Sequence, residues 1–183
     1  LLFGVFLATG CGSQTASVDS SNVKILLSVN AMDDFRQTLV DAAQQEADAQ
    51  GVQLDIFDAE DNIENQVEHI KKAAAEGYDA ILCGPVSTDT VVELKANAGD
   101  IPIVFFNSCP NEKQLSEGQY IYVGSDESVA GQYQAEYVLD KFADKDEINV
   151  VIFKGPRGHS ATEGRTRGVK KTLEASGKKI NYV

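Results

Sequence analysis

The sequence predicts an α/β protein with a doubly wound parallel sheet, because strand-like and helix-like segments alternate regularly from Val23 onward. The strand-like segments are short apolar runs rich in β-branched residues, as expected for parallel strands buried on both faces. The segments between them carry apolar residues every three or four positions, which is the spacing of one helix face. Repeated strand–helix units cross over in the right-handed sense, so helices are expected on both faces of the sheet.

The first part of this pattern contains four strands and three helices. The strands are predicted at residues 23–29, 52–57, 78–83 and 101–106. The first helix carries Phe35, Leu39, Ala43 and Ala47 on one face. The second helix carries Ile63, Val67, Ile70 and Ala74, and the third helix spans about 89–97. Gly51 is suited to the left-handed cap that ends the first helix, and Gly84-Pro85 ends the third strand.

The second part begins with a polar loop over residues 107–119. A strand is predicted at 120–123, then a helix through Tyr133, Tyr137 and Phe142. A strand at 148–153 and a helix carrying Val169 and Leu173 follow, and residues 178–183 have the pattern of a strand that is beginning. No initiator Met or basic segment precedes the first residue, so we expect the sequence to be part of a longer chain.

The N-terminus predicts export and attachment to a membrane. Residues 1–11 form an apolar run that ends in small residues and Cys11, too short to span a bilayer. The run resembles the end of a bacterial lipoprotein signal, in which the cysteine is lipidated and becomes the mature N-terminus; Ala8 stands where the usual signal has leucine. Residues 12–22 are then a flexible linker. The alternatives are a plain signal peptide with an incidental cysteine and a membrane-anchor remnant.

The composition excludes several classes of protein. The 183 residues are 43% hydrophobic and 24% charged, with a net charge of −12, which argues against nucleic acid and anionic lipid as partners. The two histidines, His69 and His159, stand alone and no Cys-x-x-Cys occurs, so no metal site and no cofactor are predicted. Cys83 and Cys109 come at the ends of strands expected to be neighbours, and both a disulfide and free thiols remain open.

Ligands of such sheets bind beyond the carboxyl ends of the strands, and the loops found there carry no recognisable catalytic motif. The sequence has no Gly-x-Ser-x-Gly elbow, no Gly-x-x-x-x-Gly-Lys-Ser/Thr loop and no Gly-x-Gly-x-x-Gly after the first strand. Residues 155–158, Gly-Pro-Arg-Gly, follow a strand as a phosphate loop would. However, Pro156 lacks an amide donor, so a turn that presents side chains is the preferred interpretation. No catalytic residue is predicted.

The same loops instead offer planar polar groups beside aromatic rings. Carboxylates, amides and a guanidinium can each hold two neighbouring hydroxyls, and an aromatic face can cover the C–H side of a sugar ring. These groups are Asp33, Asp34 and Phe35, then Phe106, Asn107 and Ser108, then Ser125 and Asp126, and Arg165; the candidates for ligand contact are Asp33, Phe35, Asn107, Ser108, Asp126 and Arg165. The alternatives are helix N-capping for Asp33 and Asp126, core packing for Phe35 and a solvated surface position for Arg165.

Several segments, in this order and spacing, resemble the type 1 periplasmic sugar-binding proteins of ABC importers, of the ribose- and galactose-binding kind. They are residues 29–36 with 43–47, 77–85, 101–104, 123–126 and 155–165, so the resemblance covers about 23–183. The resemblance implies two lobes joined by a hinge, with sugar trapped on closure. The N-terminal lobe would span 23–124, and 125–183 would begin a second lobe that is incomplete here.

The resemblance also implies which residues contact a ligand. Asp33 and Phe35 match contacts of the first loop, and Arg36 stands where the family often has a second aromatic. Asn107 and Ser108 stand where many members have an Asp-Arg pair, and Arg165 matches an arginine of the second lobe. The departures at 36, 107 and 108 leave the ligand open among pentoses, hexoses and other small polar solutes.

We therefore expect a lipid-anchored, monomeric, extracytoplasmic receptor that captures a sugar-like molecule and delivers it to an ABC permease, without covalent chemistry. One alternative is the extracellular sensor domain of a signalling receptor. Another is the effector domain of a lac-repressor-type regulator, which would need an upstream helix-turn-helix in place of the apolar leader. A doubly wound enzyme is the third, and it lacks a nucleophile or phosphate loop.

Overall fold

A computed structural model describes residues 22–157 and 159–183, and the predicted signal and most of the linker lie outside this part. The strands are β1 Lys24–Val29, β2 Gln53–Asp58, β3 Ala80–Cys83, β4 Ile103–Phe106, β5 Tyr120–Val123, β6 Glu147–Val150 and β7 Lys179–Tyr182. The helices are α1 Asp34–Gln50, α2 Ile63–Ala75, α3 Val91–Ala98, α4 Glu127–Lys141 and α5 Ser160–Ala175. None of the helices in the described part is long and apolar enough to cross a membrane.

Five strands form one parallel sheet in the order β2-β1-β3-β4-β5, and every neighbouring pair in it is parallel. This order is a doubly wound arrangement, in which the order of strand addition reverses between β1 and β3 and opens a crevice at the carboxyl ends of the strands. The predicted α/β fold class is therefore confirmed. The loops that the sequence marks as ligand-binding lie at this end of the sheet.

The two faces of this sheet are covered unequally. One face packs against α2 and α3 through a large core that includes Leu26, Ile81, Ile103 and Phe105. The other face packs against α1, where Val40 is the only buried residue of the helix. The predicted helix face of α1 is thus only partly correct, because Phe35 at its start is 66% exposed.

The remaining strands, β6 and β7, pair in parallel as a second sheet. The strand at 178–183 is confirmed, but the strand expected at 148–153 was placed too far along the chain and runs from Glu147 to Val150. Its last ladder partner is Tyr182, so Val151 and Phe153 have no strand beside them among the described residues, and Phe153 is 95% exposed. Apolar character alone therefore predicted a strand that is too long, because each strand residue also requires a hydrogen-bonding partner.

Helices α4 and α5 pack closely because glycines stand at their contact. A Cβ atom at Gly131 would lie 2.1 Å from the Arg165 carbonyl oxygen, and one at Gly168 would lie 2.0 Å from the Ser128 carbonyl oxygen. No side chain can occupy either position at this spacing. The aromatic positions expected on α4, Tyr133, Tyr137 and Phe142, are in contrast exposed.

A buried hydrogen-bonded chain connects β1, α2 and the loop after β3. Gln66 is 1% exposed; its amide nitrogen donates to Ser28 Oγ at 3.3 Å and to the Gly84 carbonyl at 3.0 Å. Its amide oxygen accepts from the Val86 N–H at 2.8 Å, which fixes the loop after β3. Ser28 Oγ also lies 3.1 Å from His69 Nδ1.

His69 should make the stability of the protein depend on pH. Burial lowers the pKa of His69 in the folded state, against the opposing effect of the Asp58 carboxylate. Its contribution is therefore fully present above the unfolded-state pKa of about 6.5 and is lost as pH falls below that value toward the folded-state pKa. Chemical denaturation at pH 7 and pH 5 should show a larger loss of unfolding free energy for the wild type than for His69→Gln. An equal loss in the two proteins would contradict this assignment.

Candidate ligand-binding cleft

A cavity of about 710 Å³ opens at the carboxyl ends of the strands and reaches across to α5. Its floor is apolar and is formed by the α1-covered face of the first sheet and by α1: Leu27, Leu82, Val104, Leu39 and Ala43. Its mouth carries the aromatic and polar groups: Phe35, Phe106, Asn107, Tyr122, Ser125, Glu127 and Arg165. An apolar cavity with few convergent polar groups is the usual form of a small-molecule site.

Asn107 lies at this mouth in an uncommon backbone conformation. Its φ is +62°, and the N–H of Ser108 donates to the Phe106 carbonyl at 2.6 Å across it, forming a three-residue turn. Asparagine tolerates positive φ better than most residues, but the conformation is still costly and is concentrated at functional sites. The turn changes the direction of the chain sharply at the end of β4, where the first sheet meets the cavity.

Arg165 reaches the same cavity from α5. Its Nε donates to Glu127 Oε2 at 2.6 Å, and Glu127 stands in the first turn of α4. The arginine side chain is 51% exposed, whereas the glutamate side chain is only 16% exposed. The pair uses Nε alone, so it does not consume the four N–H groups on the terminal nitrogens of the guanidinium.

The first loop places only one of its three predicted contacts in the cavity. Phe35 lines it, with most of its ring exposed. Asp33 caps α1 by accepting from the Arg36 N–H at 2.7 Å, and it also forms an ion pair with the Arg36 guanidinium. Arg36 Nε is buried and has no partner among the described residues. Neither Asp33 nor Arg36 is among the residues that line the cavity.

Ser108 does not line that cavity and instead joins the loop after β4 to the start of α5. The residue is 4% exposed, and its hydroxyl lies 2.9 Å from His159 Nε2 at the start of α5. The His159 Nδ1 accepts from the Ala161 N–H at 3.3 Å, so Nε2 carries the proton and donates to Ser108. Beside it, the Cys109 N–H donates to Ser160 Oγ at 3.0 Å. The loop after β4 is thus hydrogen-bonded to α5.

Asp126 caps α4 in the structure. Its carboxylate accepts from the Ser128 N–H at 2.9 Å and from the Ser128 hydroxyl at 2.6 Å, and these bonds lower its pKa. Asp126 lines a neighbouring cavity of about 450 Å³ together with Cys109 and Arg167. The structure therefore brings together Phe35, Asn107 and Arg165 in one cavity, and it places Asp33, Arg36, Ser108 and Asp126 outside that cavity.

Among the residues that sequence reasoning missed are Tyr122 and Glu127, which line the cavity, and His159, which lies outside it and bonds to Ser108. Glu127 directly follows the predicted Asp126, and only the packing of α4 against α5 reveals that it is the one that pairs with Arg165. His159 was considered only as a metal ligand, and its place just before α5 could have indicated a helix cap. No cluster suited to a metal ion occurs in the described part of the chain.

The chain belongs to a family of periplasmic binding proteins: residues 25–183 match the family described as "Periplasmic binding protein domain". It is 30% identical to the D-galactose/methyl-galactoside binding periplasmic protein of Haemophilus influenzae, over 97% of this chain and 57% of that protein. It is 28% identical to a ribose import binding protein of Bacillus subtilis, over 92% of this chain and 56% of that protein. The chain thus spans little more than half the length of these curated relatives.

Solved structures agree with this assignment of fold. An ABC transporter solute binding protein of Bacillus halodurans with bound myo-inositol superimposes with a TM-score of 0.73 at 26% sequence identity. The match covers 90% of this chain and 58% of that one. The predicted resemblance to type 1 sugar-binding periplasmic proteins is confirmed, and these relatives are binding proteins by name.

The two cysteines in the described part of the chain, Cys83 and Cys109, should be free and should differ in reactivity. Cys83 belongs to the core between the first sheet and its α2–α3 layer, and burial raises its pKa to about 12. Cys109 is only partly buried, although burial and Glu112 also raise its pKa. In a Cys11→Ser variant, thiol titration should find two thiols per chain after denaturation without reductant, and only one reacting readily in the native protein.

A Cys109→Ala variant serves as the control and should leave no readily reacting thiol in the native state. An absence of free thiols in the denatured, unreduced protein would show that the two cysteines are bridged, contrary to the structure.

Proposed function

We propose that this protein is an extracytoplasmic solute-binding component of an ABC importer, which captures a sugar or a sugar-like molecule between two lobes. The lobes are residues 23–124 and 125–183, the latter with whatever completes it in a longer chain. The observation that carries the proposal is that Asn107, which follows β4 of the first sheet, and Arg165, on α5 between the two strands of the second sheet, line one cavity.

The groups at the mouth of the cavity suit a polyol. The Asn107 amide both donates and accepts, and the Arg165 terminal nitrogens donate in a fixed fork, so each can hold neighbouring hydroxyls. The exposed ring of Phe35 offers a flat apolar face for the C–H side of a sugar. A ligand held by both lobes stabilises the closed arrangement, because it makes its full set of contacts only there. No covalent step is part of this function.

Attachment to the membrane follows the same proposal. Cys11 carries a lipid anchor, residues 12–22 act as a linker, and the monomeric receptor presents the closed, loaded state to a permease. The family match and the names of the relatives support a location outside the cytoplasmic membrane. A diacylated cysteine supplies the second hydrocarbon chain that stable anchoring requires.

Arg165→Ala should weaken sugar binding by about 2 kcal/mol or more, roughly thirtyfold, because a charged hydrogen bond is lost in a desolvated cleft. The protein expressed from its complete reading frame would be titrated calorimetrically with D-galactose, D-ribose and myo-inositol. Asn107→Ala should weaken the same ligand. The ligand-free thermal midpoint should change little for Arg165→Ala, because half of this side chain is exposed and supports little core.

Arg167→Ala is the matched control, because Arg167 lies on the same helix but lines other cavities. Its affinity should equal that of the wild type. Unchanged affinity in Arg165→Ala would remove this arginine from the site, and a wild type that binds no sugar or polyol of a broad panel would contradict the proposed function.

Cys11→Ser should release the protein from membranes or leave it unprocessed in a bacterial host with lipoprotein processing. The measurement is fractionation of cells that express the full-length precursor, with Ser13→Ala as a nearby control that should stay in the membrane fraction. Equal partitioning of wild type and Cys11→Ser would contradict lipid anchoring at this residue.

A further inference from the structure

The charges at the cavity are balanced within a single pair. Arg165 and Glu127 are the only charged side chains among the described residues that line it. Their 2.6 Å contact joins guanidinium to carboxylate, so the cavity as a whole carries no net charge. An arginine without this partner would present a full positive charge to the ligand, and arginine is a preferred partner of carboxylates and phosphates.

The packing of α4 and α5 holds this pair in place. A Cβ atom at Gly164 would lie 2.7 Å from the Glu127 Cβ, so only glycine allows α5 to approach α4 at this point. A Cβ atom at Gly131 on α4 would lie 2.1 Å from the Arg165 carbonyl oxygen. The close packing of the two helices holds the Glu127 side chain near the Arg165 guanidinium. This reduces the entropy cost of keeping both side chains in one geometry.

We propose that Glu127 is a specificity-determining residue, which cancels the charge of Arg165 and thereby restricts the cavity to uncharged ligands. This inference rests on the proposed function and names the class of solute within it: neutral sugars and polyols are accepted, and sugar acids are rejected. Glu127 acts in two ways. Its carboxylate repels an anionic ligand directly, and its bond to Nε fixes the plane in which the terminal nitrogens of Arg165 meet ligand hydroxyls.

A carboxylate bound at Arg165 would have to share the guanidinium with Glu127 across a short distance. Two like charges close together in a site that excludes water disfavour each other strongly, which is why paired carboxylates rarely remain both ionised. A ligand hydroxyl has no net charge, so the Glu127 carboxylate does not repel it. The pair therefore keeps the hydrogen-bonding capacity of arginine while removing its preference for anions.

The test uses the full-length protein and chemically matched ligands: D-galactose with D-galacturonate and D-galactonate, and D-glucose with D-glucuronate and D-gluconate. Uronates and aldonates carry the carboxylate at opposite ends of the sugar, so either orientation of the ligand is sampled. The wild type should bind the neutral sugar of a pair at least about tenfold more tightly than its acids. Glu127→Gln should reduce this preference at least about tenfold, mainly by strengthening the binding of an acid.

Glu136→Gln is the control for charge removal, because Glu136 is an exposed residue of the same helix, bonded to Gln132. It should keep the wild-type preference. Glu127→Asp keeps the charge and should also continue to reject the acids. A wild type that binds acids as tightly as neutral sugars would overturn the inference, whether or not Glu127→Gln folds. An unchanged preference in folded Glu127→Gln, or an equal change in Glu136→Gln, would overturn it too.

Failure of the proposed function would look different. In that case the wild type would bind neither the neutral sugars and polyols nor their acids, and Glu127→Gln would bind none of them either. Tight binding of sugars with no discrimination by charge would retain the sugar-binding function and remove Glu127 as its charge filter.

Discussion

The close contact between α4 and α5 is the constraint on which the binding site depends. Gly131, Gly164 and Gly168 let the two helices approach to a distance at which any Cβ atom would collide with the opposing helix. This spacing brings Glu127 to Arg165 at the edge of the cavity. The candidate site therefore depends on positions that do not line the cavity, because a methyl group at any of these glycines must shift a helix and displace the charged pair.

The loops on the other side of the cleft are held by buried polar groups rather than by apolar packing. Gln66 is almost fully buried, and both its amide nitrogen and its amide oxygen hydrogen-bond to the loop after β3. The loop after β4 is held instead by the Ser108–His159 hydrogen bond, which crosses from the first sheet to α5. A hydrogen bond to a neutral histidine contributes about 1 kcal/mol, which is small enough for a ligand to govern whether the two parts stay together.

The sequence predicted the fold class, the order of the elements and the end of the sheet that carries the candidate site. These features follow from the spacing of apolar residues within each segment and from the rule that ligands bind at the carboxyl ends of parallel strands. Prediction from the sequence was less successful where a contact with a distant segment of the chain decides the structure. The strand at 148–153 was misplaced, since only pairing with β7 defines its end. Arg165, Asn107 and Phe35 lie together as expected, whereas Ser108 forms a bond within the protein. Glu127 emerged only from the approach of two helices separated by a strand, a long-range relation that no local pattern encodes.

The pKa values of Tyr122 and Cys109, beside the cavity, are shifted away from neutral pH. A general base or nucleophile works best with a pKa near the working pH, and active sites shift their residues toward that value. Here burial raises the pKa of Tyr122, with further contributions from Cys109 and Glu127, and burial also raises the pKa of Cys109. Both groups are thereby kept protonated and serve as neutral hydrogen-bonding or apolar surface. With Glu127 paired to Arg165, the mouth of the cavity offers hydrogen-bonding groups without a net charge, and the proposed binding of an uncharged polyol rests on this chemistry.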